Sequence, residues 1–272
     1  MSYFLKKYSG IILILKTTTQ LKNLIISLQI PKPKNGRRFA IADVHGCAHT
    51  LAALVQKIGL EKDDQLFLLG DYIDRGKDSA GVLDFIMNLE SNGFQVFALK
   101  GNHEDMFLEE WQLSQQASHT FKSKTIFLRL MKFNKAEKLL DENQQPKLRY
   151  LNFMENLYYY FELPDFYLVH AGFNFQTPDF KQDLRSMLWI RNFAETEISF
   201  EQTKGKRIVV GHSIHDLGTI KQKIAEKSLI IPLDNGCYYG AKNPIEVYEG
   251  HYANLCCLNL DTFELITQSY IG

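Results

Sequence analysis

Five short clusters of Asp, Asn and His recur along the chain, each directly after a run of apolar residues. They are Asp43-Val44-His45-Gly46, Gly70-Asp71-Tyr72-Ile73-Asp74-Arg75-Gly76, Gly101-Asn102-His103-Glu104, His170-Ala171-Gly172 and Gly211-His212-Ser213. Each cluster alone is ordinary, because a histidine after a strand commonly satisfies a backbone group and Gly-Asp is a common turn. Five unrelated turns have no reason to carry a metal-type donor every time. Carboxylate, imidazole and amide oxygen form a mixed donor set suited to Mn, Fe or Zn rather than to Ca or Mg alone. Two aspartates and three histidines suffice for two divalent ions, provided one carboxylate bridges ions roughly 3.5–4 Å apart.

Such a set works only if the chain brings the clusters together. Arg38–Ala42, Leu66–Leu69 and Gln95–Leu99 read as strands that end at the first three clusters. Between them, His49–Ile58 carries Leu51, Leu54, Val55 and Ile58 on one helical face, and Ser79–Leu89 reads as a second helix. Strand–loop–helix alternation indicates an α/β class, in which chemistry sits in the loops beyond the strand C-termini. Further strands are expected at Phe166–Val169, Arg207–Val210, Leu229–Ile231, Leu255–Leu260 and Leu265–Thr267. Residues 105–165 break the rhythm: they are poor in Gly and Pro, and Met106–Leu113, Thr125–Leu130 and Ala136–Asp141 read as helical pieces of an insertion. Residues 1–36 read as an N-terminal extension, closed by the breaker cluster Pro31–Gly36, with the main domain over 37–272. Within the extension, Ile11–Leu15 suits a short strand, and Leu21, Leu24, Ile25 and Leu28 have helical spacing.

Composition narrows the function classes. The chain has 272 residues, with 31 basic and 31 acidic side chains balancing to zero net charge. That balance argues against a broad electrostatic nucleic-acid binder, but not against a small, locally charged site. The apolar run Ile11–Leu15 is shorter than the roughly 7–15 residues of a signal-peptide core, and no stretch approaches the roughly 20 apolar residues of a membrane span. A cytoplasmic protein that engages neither nucleic acid nor membrane is expected. Cys47, Cys237, Cys256 and Cys257 form no CxxC pair and read as buried, reduced thiols.

The order of the clusters resembles that of the PPP-type calcineurin-like metallophosphoesterases. That family's pattern is GDxHG, GDxVDRG, GNHE, an HGG-like turn and a later GH[ST]; this chain has ADVHG, GDYIDRG, GNHE, HAG and GHS. Ala42 and Ala171 replace glycines, both small-for-small changes. The resemblance spans about residues 38–268 and implies a four-layer αββα sandwich with a helical insertion. It also implies two divalent metals, Mn foremost with Fe or Zn as alternatives. By position, Asp43 and His45 would bind the first metal, Asp71 would bridge, and Asn102, His170 and His212 would bind the second. A hydroxide formed between the metals would attack phosphorus. His103 would protonate the leaving oxygen, oriented by Asp74, while Arg75, Arg191 (in Trp189-Ile190-Arg191) and Asn102 would contact the phosphate.

The motifs imply the reaction and leave the substrate open. Lys100 stands where eukaryotic protein phosphatases commonly carry arginine, and their SAPNY-like stretch is absent. The closer resemblance is to bacterial serine/threonine protein phosphatases, acting on a phosphoprotein or other phosphoester. The alternative is a symmetrical bis(5'-nucleosyl)-tetraphosphatase. A non-catalytic binding module on the same scaffold is a third reading, disfavoured because every expected ligand is present. Asn235-Gly236-Cys237 resembles the family's late DTG-C turn, a structural feature near the site; Tyr238 and Tyr239 suit either a pocket wall or the core. His49, His119, His215 and His251 lack motif context and are expected to be non-ligands.

Overall fold

A computed structural model describes residues 13–15, 25–115, 121–191, 195, 198–241 and 251–272. In chain order the strands are β1 (Leu13–Leu15), β2 (Ile25–Gln29), β3 (Arg38–Ile41), β4 (Gln65–Leu68), β5 (Gln95–Ala98), β6 (Tyr160–Glu162), β7 (Phe166–Val169), β8 (Arg207–Val210), β9 (Ile230–Pro232), β10 (Asn254–Asn259) and β11 (Leu265–Ser269). The helices are α1 (Ala48–Lys57), α2 (Ser79–Ser91), α3 (Asn102–Gln115), α4 (Phe121–Phe133), α5 (Leu148–Glu155), α6 (Leu184–Trp189), α7 (Phe200–Thr203) and α8 (Leu217–Ala225).

The strands form two mixed sheets. One runs β11-β10-β3-β4-β5, the other β1-β2-β6-β7-β8-β9. In the first, β3, β4 and β5 are parallel, in register Arg38↔Gln65↔Gln95. In the second, β7, β8 and β9 are parallel. Parallel strands leave all their C-termini at one edge, so residues 43, 71 and 101 emerge together from the first sheet and residues 170 and 211 from the second.

Side-chain alternation explains why the sheets stack. Along β3, β4 and β5, Ala40, Phe67 and Phe97 turn inward to a core shared with Phe161, Leu168, Val209 and Ile231 of the other sheet. Their neighbours Phe39, Ile41, Leu66, Leu68 and Val96 turn outward beneath helices α1 and α2 and the α3–α5 segment. On the far side, Tyr167, Val169, Ile208 and Val210 pack against Phe173, Phe180, Met187 and Leu188. With both faces covered, these strands read as near-continuous apolar runs rather than alternating ones. The layering is that of the expected αββα sandwich.

The structure departs from the sequence reading in two places. Ile25–Gln29, expected to continue a helix, is strand β2, paired in parallel with β6 through Ser27↔Tyr160, Leu28↔Phe161 and Gln29↔Glu162. The run Leu24–Leu28 is apolar at helical spacing, but Ile25 and Ile26 are β-branched and the open edge of β6 offers backbone partners; tertiary pairing overrides so short a periodic signal. The rest of that candidate helix, residues 21–24, lies outside the described residues, as do 11 and 12 of the expected Ile11–Leu15 strand. The second departure is β6 itself, which closes the stretch read as wholly helical; Tyr158, Tyr159 and Tyr160 there have no alternating signature. Helix α5 falls within the expected helical insertion, with Tyr150 and Met154 buried although no periodicity marked them. Among the described residues, no helix is long and apolar enough to cross a membrane.

Candidate metal centre

The sharpest local signal at the converging strand ends is backbone strain. Asp43, His45, Asp71, Asp74, Arg75 and His212 all have φ between 43° and 71°. Left-handed backbone is uncommon for residues other than glycine and collects where a fold over-determines geometry for function. Loop glycines permit the crowding: a Cβ at Gly101 would overlap Asp71 Oδ1, and one at Gly211 would overlap Asp43 Oδ2.

Glu104 pins this geometry. Its buried carboxylate accepts N–H groups of Asp71 (2.9 Å), Tyr72 (2.8 Å), Ile73 (3.2 Å) and Gly101 (2.9 Å). One side chain on the first turn of α3 thereby fixes the loop after β4 to the loop after β5. Burial, then Asp71, pushes its carboxyl up to about 7, while the four donors favour the charged form. The GNHE motif contains Glu104, but its spacing does not disclose this anchoring role.

The imidazoles are aimed by their backbone partners. His45 Nδ1–H donates to the Ile73 carbonyl at 3.0 Å, which leaves the Nε2 lone pair facing Asp71 Oδ2 at 3.4 Å. That Nε2 is buried without a hydrogen-bond partner. His170 Nδ1–H donates to the Leu69 carbonyl at 2.8 Å, so its Nε2 lone pair faces Asp71 Oδ1 at 3.4 Å and Asn102 Oδ1 at 3.0 Å. His212 Nδ1 lies 2.9 Å from the same Asn102 oxygen. The Nε2 lone pairs of His45 and His170, each turned toward acceptor oxygens, are unfavourable unless a cation sits between them. Burial holds His45 and His212 down at about 3 and lowers His170 as well, so all three rings are neutral and able to ligate.

Among the described residues, ligand atoms converge in two groups: His45, Asp71 and His103, and Asp71, His170 and His212, the atoms of each within 4.8 Å of one another. Asp71 belongs to both, as a bridging carboxylate should. Burial pushes its carboxyl up, but the proton-holding His103 and that residue's N–H, which Asp71 Oδ1 accepts at 3.1 Å, favour the charged form. Oxygen and nitrogen donors, neutral rings and a shared carboxylate fit divalent transition-metal ions.

Asp43 stands apart from both groups. Its carboxylate accepts the His212 N–H at 3.0 and 2.9 Å, tying the loop after β3 to the loop after β8. Burial, then Asp234 and Asp71, pushes its carboxyl well up. Asp234 is itself buried and raised to about 7 by burial. It is a second acid that the LDNGC stretch carries without any distinguishing spacing.

His103 takes the position nearest His45, but its chemistry differs. Its Nδ1–H donates to Asp74 Oδ2 at 2.6 Å, with Nε2 4.0 Å from Asp71 Oδ2. Burial alone would depress this ring, yet Asp71 and Asp74 outweigh it and hold it above its ordinary value. A proton-holding imidazole suits a donor better than a ligand. Arg75 is half-buried with its guanidinium over the Tyr238 ring at 4.8 Å, and Tyr238 meets His45 edge-on at 5.2 Å. Tyr238 therefore walls the site. Arg191 lies exposed beside His212, its guanidinium donating to the His212 carbonyl at 3.4 Å.

All four cysteines are buried and free. His49, His215 and His251 are outside both ligand groups, and His119 lies outside the described residues.

Residues 37–247 match the sequence pattern of the calcineurin-like phosphoesterases. Curated relatives include a protein of Cellvibrio japonicus named a symmetrical bis(5'-nucleosyl)-tetraphosphatase, 29% identical over 49% of this chain and 44% of that protein. Another of that name from Erwinia tasmaniensis is 40% identical over 24% of this chain and 23% of its own length. The chain thus spans less than half the length of these relatives. Among solved structures, a putative diadenosine tetraphosphatase aligns over 90% of this chain and 99% of its own, with TM-score 0.60 and 20% identity. A serine/threonine phosphatase from Saccharomyces cerevisiae aligns over 90% of this chain and 84% of its own, with TM-score 0.54 and 15% identity. At such identities these two establish the fold alone.

Proposed function

The chain belongs to the calcineurin-like phosphoesterase family, and from that premise we propose that it is a dinuclear-metal phosphoester hydrolase acting on phosphoserine or phosphothreonine in proteins. His45, Asp71, His170, His212 and Asn102 would hold the ions, with Asp43 completing the first site. Bound divalent ions, Mn above all, supply Lewis acidity and an acidified water at such a centre. Arg75 and Arg191 flank the centre and hold the phosphate oxygens by charge-assisted hydrogen bonds. As the phosphorus–oxygen bond breaks, His103 Nε2–H gives its proton to the departing oxygen, and Asp74 keeps the ring oriented.

The observation that carries the hydrolase reading is the 2.6 Å His103–Asp74 pair. A serine or threonine alkoxide is a strong base and leaves readily only if protonated. An ADP leaving group is stabilised by its own phosphates and gains much less from a proton. A built general acid therefore suits a phosphoprotein substrate, while both its residues belong to motifs that the two readings share. The names of the curated relatives favour a second reading, cleavage of bis(5'-nucleosyl) tetraphosphate. Turnover of a phosphopeptide and of diadenosine tetraphosphate, side by side with Mn²⁺, separates the two. Release of phosphate from the peptide is expected; cleavage of the dinucleotide to ADP alone would replace the first reading by the second.

A further inference from the structure

Asp74 Oδ2 accepts two hydrogen bonds, not one. Besides His103 Nδ1–H at 2.6 Å, it accepts Nδ2–H of Asn134 at 3.0 Å. Asn134 lies 60 residues away, in the helical segment outside every sequence motif. The end of α4 holds it firmly. Asn134 N–H donates to the Leu130 carbonyl at 2.9 Å, Lys135 reverses the chain at φ 58°, and Ala136 N–H closes the turn on the Met131 carbonyl at 2.8 Å. Met131, Ala136 and Leu139 are buried in the main core, and Lys138 pairs with Asp78 at 3.0 Å on the loop that carries Asp74.

We propose that Asn134 is a positioning residue that, with Asp74 and His103, forms an Asn–Asp–His relay aiming the proton donor at the leaving oxygen. The second Asp74 oxygen is buried without a partner. With Oδ2 held from one side only, the carboxylate could rotate and take the imidazole with it. The Asn134 amide fixes the carboxylate plane, so the α4 segment, not only the sheet edge, sets the angle of His103. Asn134 itself touches neither substrate nor the reacting atoms.

The inference rests on the phosphoester hydrolase reading, and the test separates the two. Metal-loaded wild type and Asn134→Ala are compared on an alkyl phosphate, phosphoserine, and on p-nitrophenyl phosphate, whose phenolate leaves without help. Loss of proton-donor alignment should lower kcat for the alkyl ester about tenfold more than for the aryl ester, with KM and metal content little changed. Asn134→Asp, which sets a carboxylate against Asp74, should show the same selective loss, at least as large. Equal losses on both esters, or no loss on either, overturn the relay while leaving the hydrolase reading intact. A wild-type protein with no turnover of either ester overturns both.

Discussion

At the residue scale, two of the centre's imidazoles owe their direction to backbone carbonyls. The Ile73 and Leu69 carbonyls choose the tautomers of His45 and His170, and Glu104 holds the loop that presents Asp71. His103 differs in being held by a carboxylate, and its role is testable for that reason. His103→Ala should cut turnover of an alkyl phosphate by roughly 10²–10⁴-fold while the protein keeps its full metal complement. Elemental analysis beside the rate measurement is decisive, because His103 also lies within ligand distance of His45 and Asp71. Loss of metal with loss of activity would make it a ligand instead of an acid. At this scale the sequence was highly legible: the residues named from the five clusters do surround one centre. Asn134, Glu104 and Asp234 were not legible as functional groups. Asn134 has no motif at all, and the roles of the other two exist only once separate loops have met.

At the scale of elements, one buried side chain ties three parts of the sheets together. Arg38 at the start of β3 is fully buried, and its guanidinium binds Asp165 just before β7 at 2.6 and 2.9 Å and Asp261 beyond β10 at 2.8 and 3.0 Å. Arg38→Ala should destabilise the fold by about 2–4 kcal/mol in urea unfolding, since four charge-assisted bonds are lost together. The pH dependence has a definite sign. Burial pushes the Asp165 carboxyl up, but the Arg38 bonds outweigh it and hold the folded value below the usual range. Its contribution is therefore complete above the unfolded value of about 4 and disappears as pH falls through the lower folded value. Stability of the wild type should fall more steeply on the acid side than that of Arg38→Ala; parallel acid limbs would contradict this. Elements were unevenly legible. Strands β3, β4, β5, β7, β8 and β10 are buried on both faces, and apolar runs ending in turn residues announced them. Strand β2 was not, because Ile25–Gln29 becomes a strand only by pairing with β6, and β6 itself is three residues long.

On the scale of the whole molecule, zero net charge conceals a steep local imbalance. Asp43, Asp71, Asp74, Glu104 and Asp234 are all buried around one sheet edge. Isolated buried carboxylates are strongly disfavoured, and a pair of divalent ions offsets four negative charges at once. The parallel strands of two stacked mixed sheets, pointing their C-termini the same way, are what gather five clusters from residue 43 to residue 212 into one centre. The fold class followed from the strand–helix alternation, whereas the facing of the two sheets required knowing which strands pair. The central claim is that this edge is a two-metal phosphoester hydrolase centre. It is tested most directly by titrating Mn²⁺ into chelator-stripped protein while following p-nitrophenyl phosphate hydrolysis. Turnover should rise to a plateau at two bound equivalents per chain, and Asp71→Asn, which weakens the shared ligand, should bind both ions poorly and stay inactive. Turnover that is independent of metal, or an Asp71→Asn variant as active as wild type, would contradict the account.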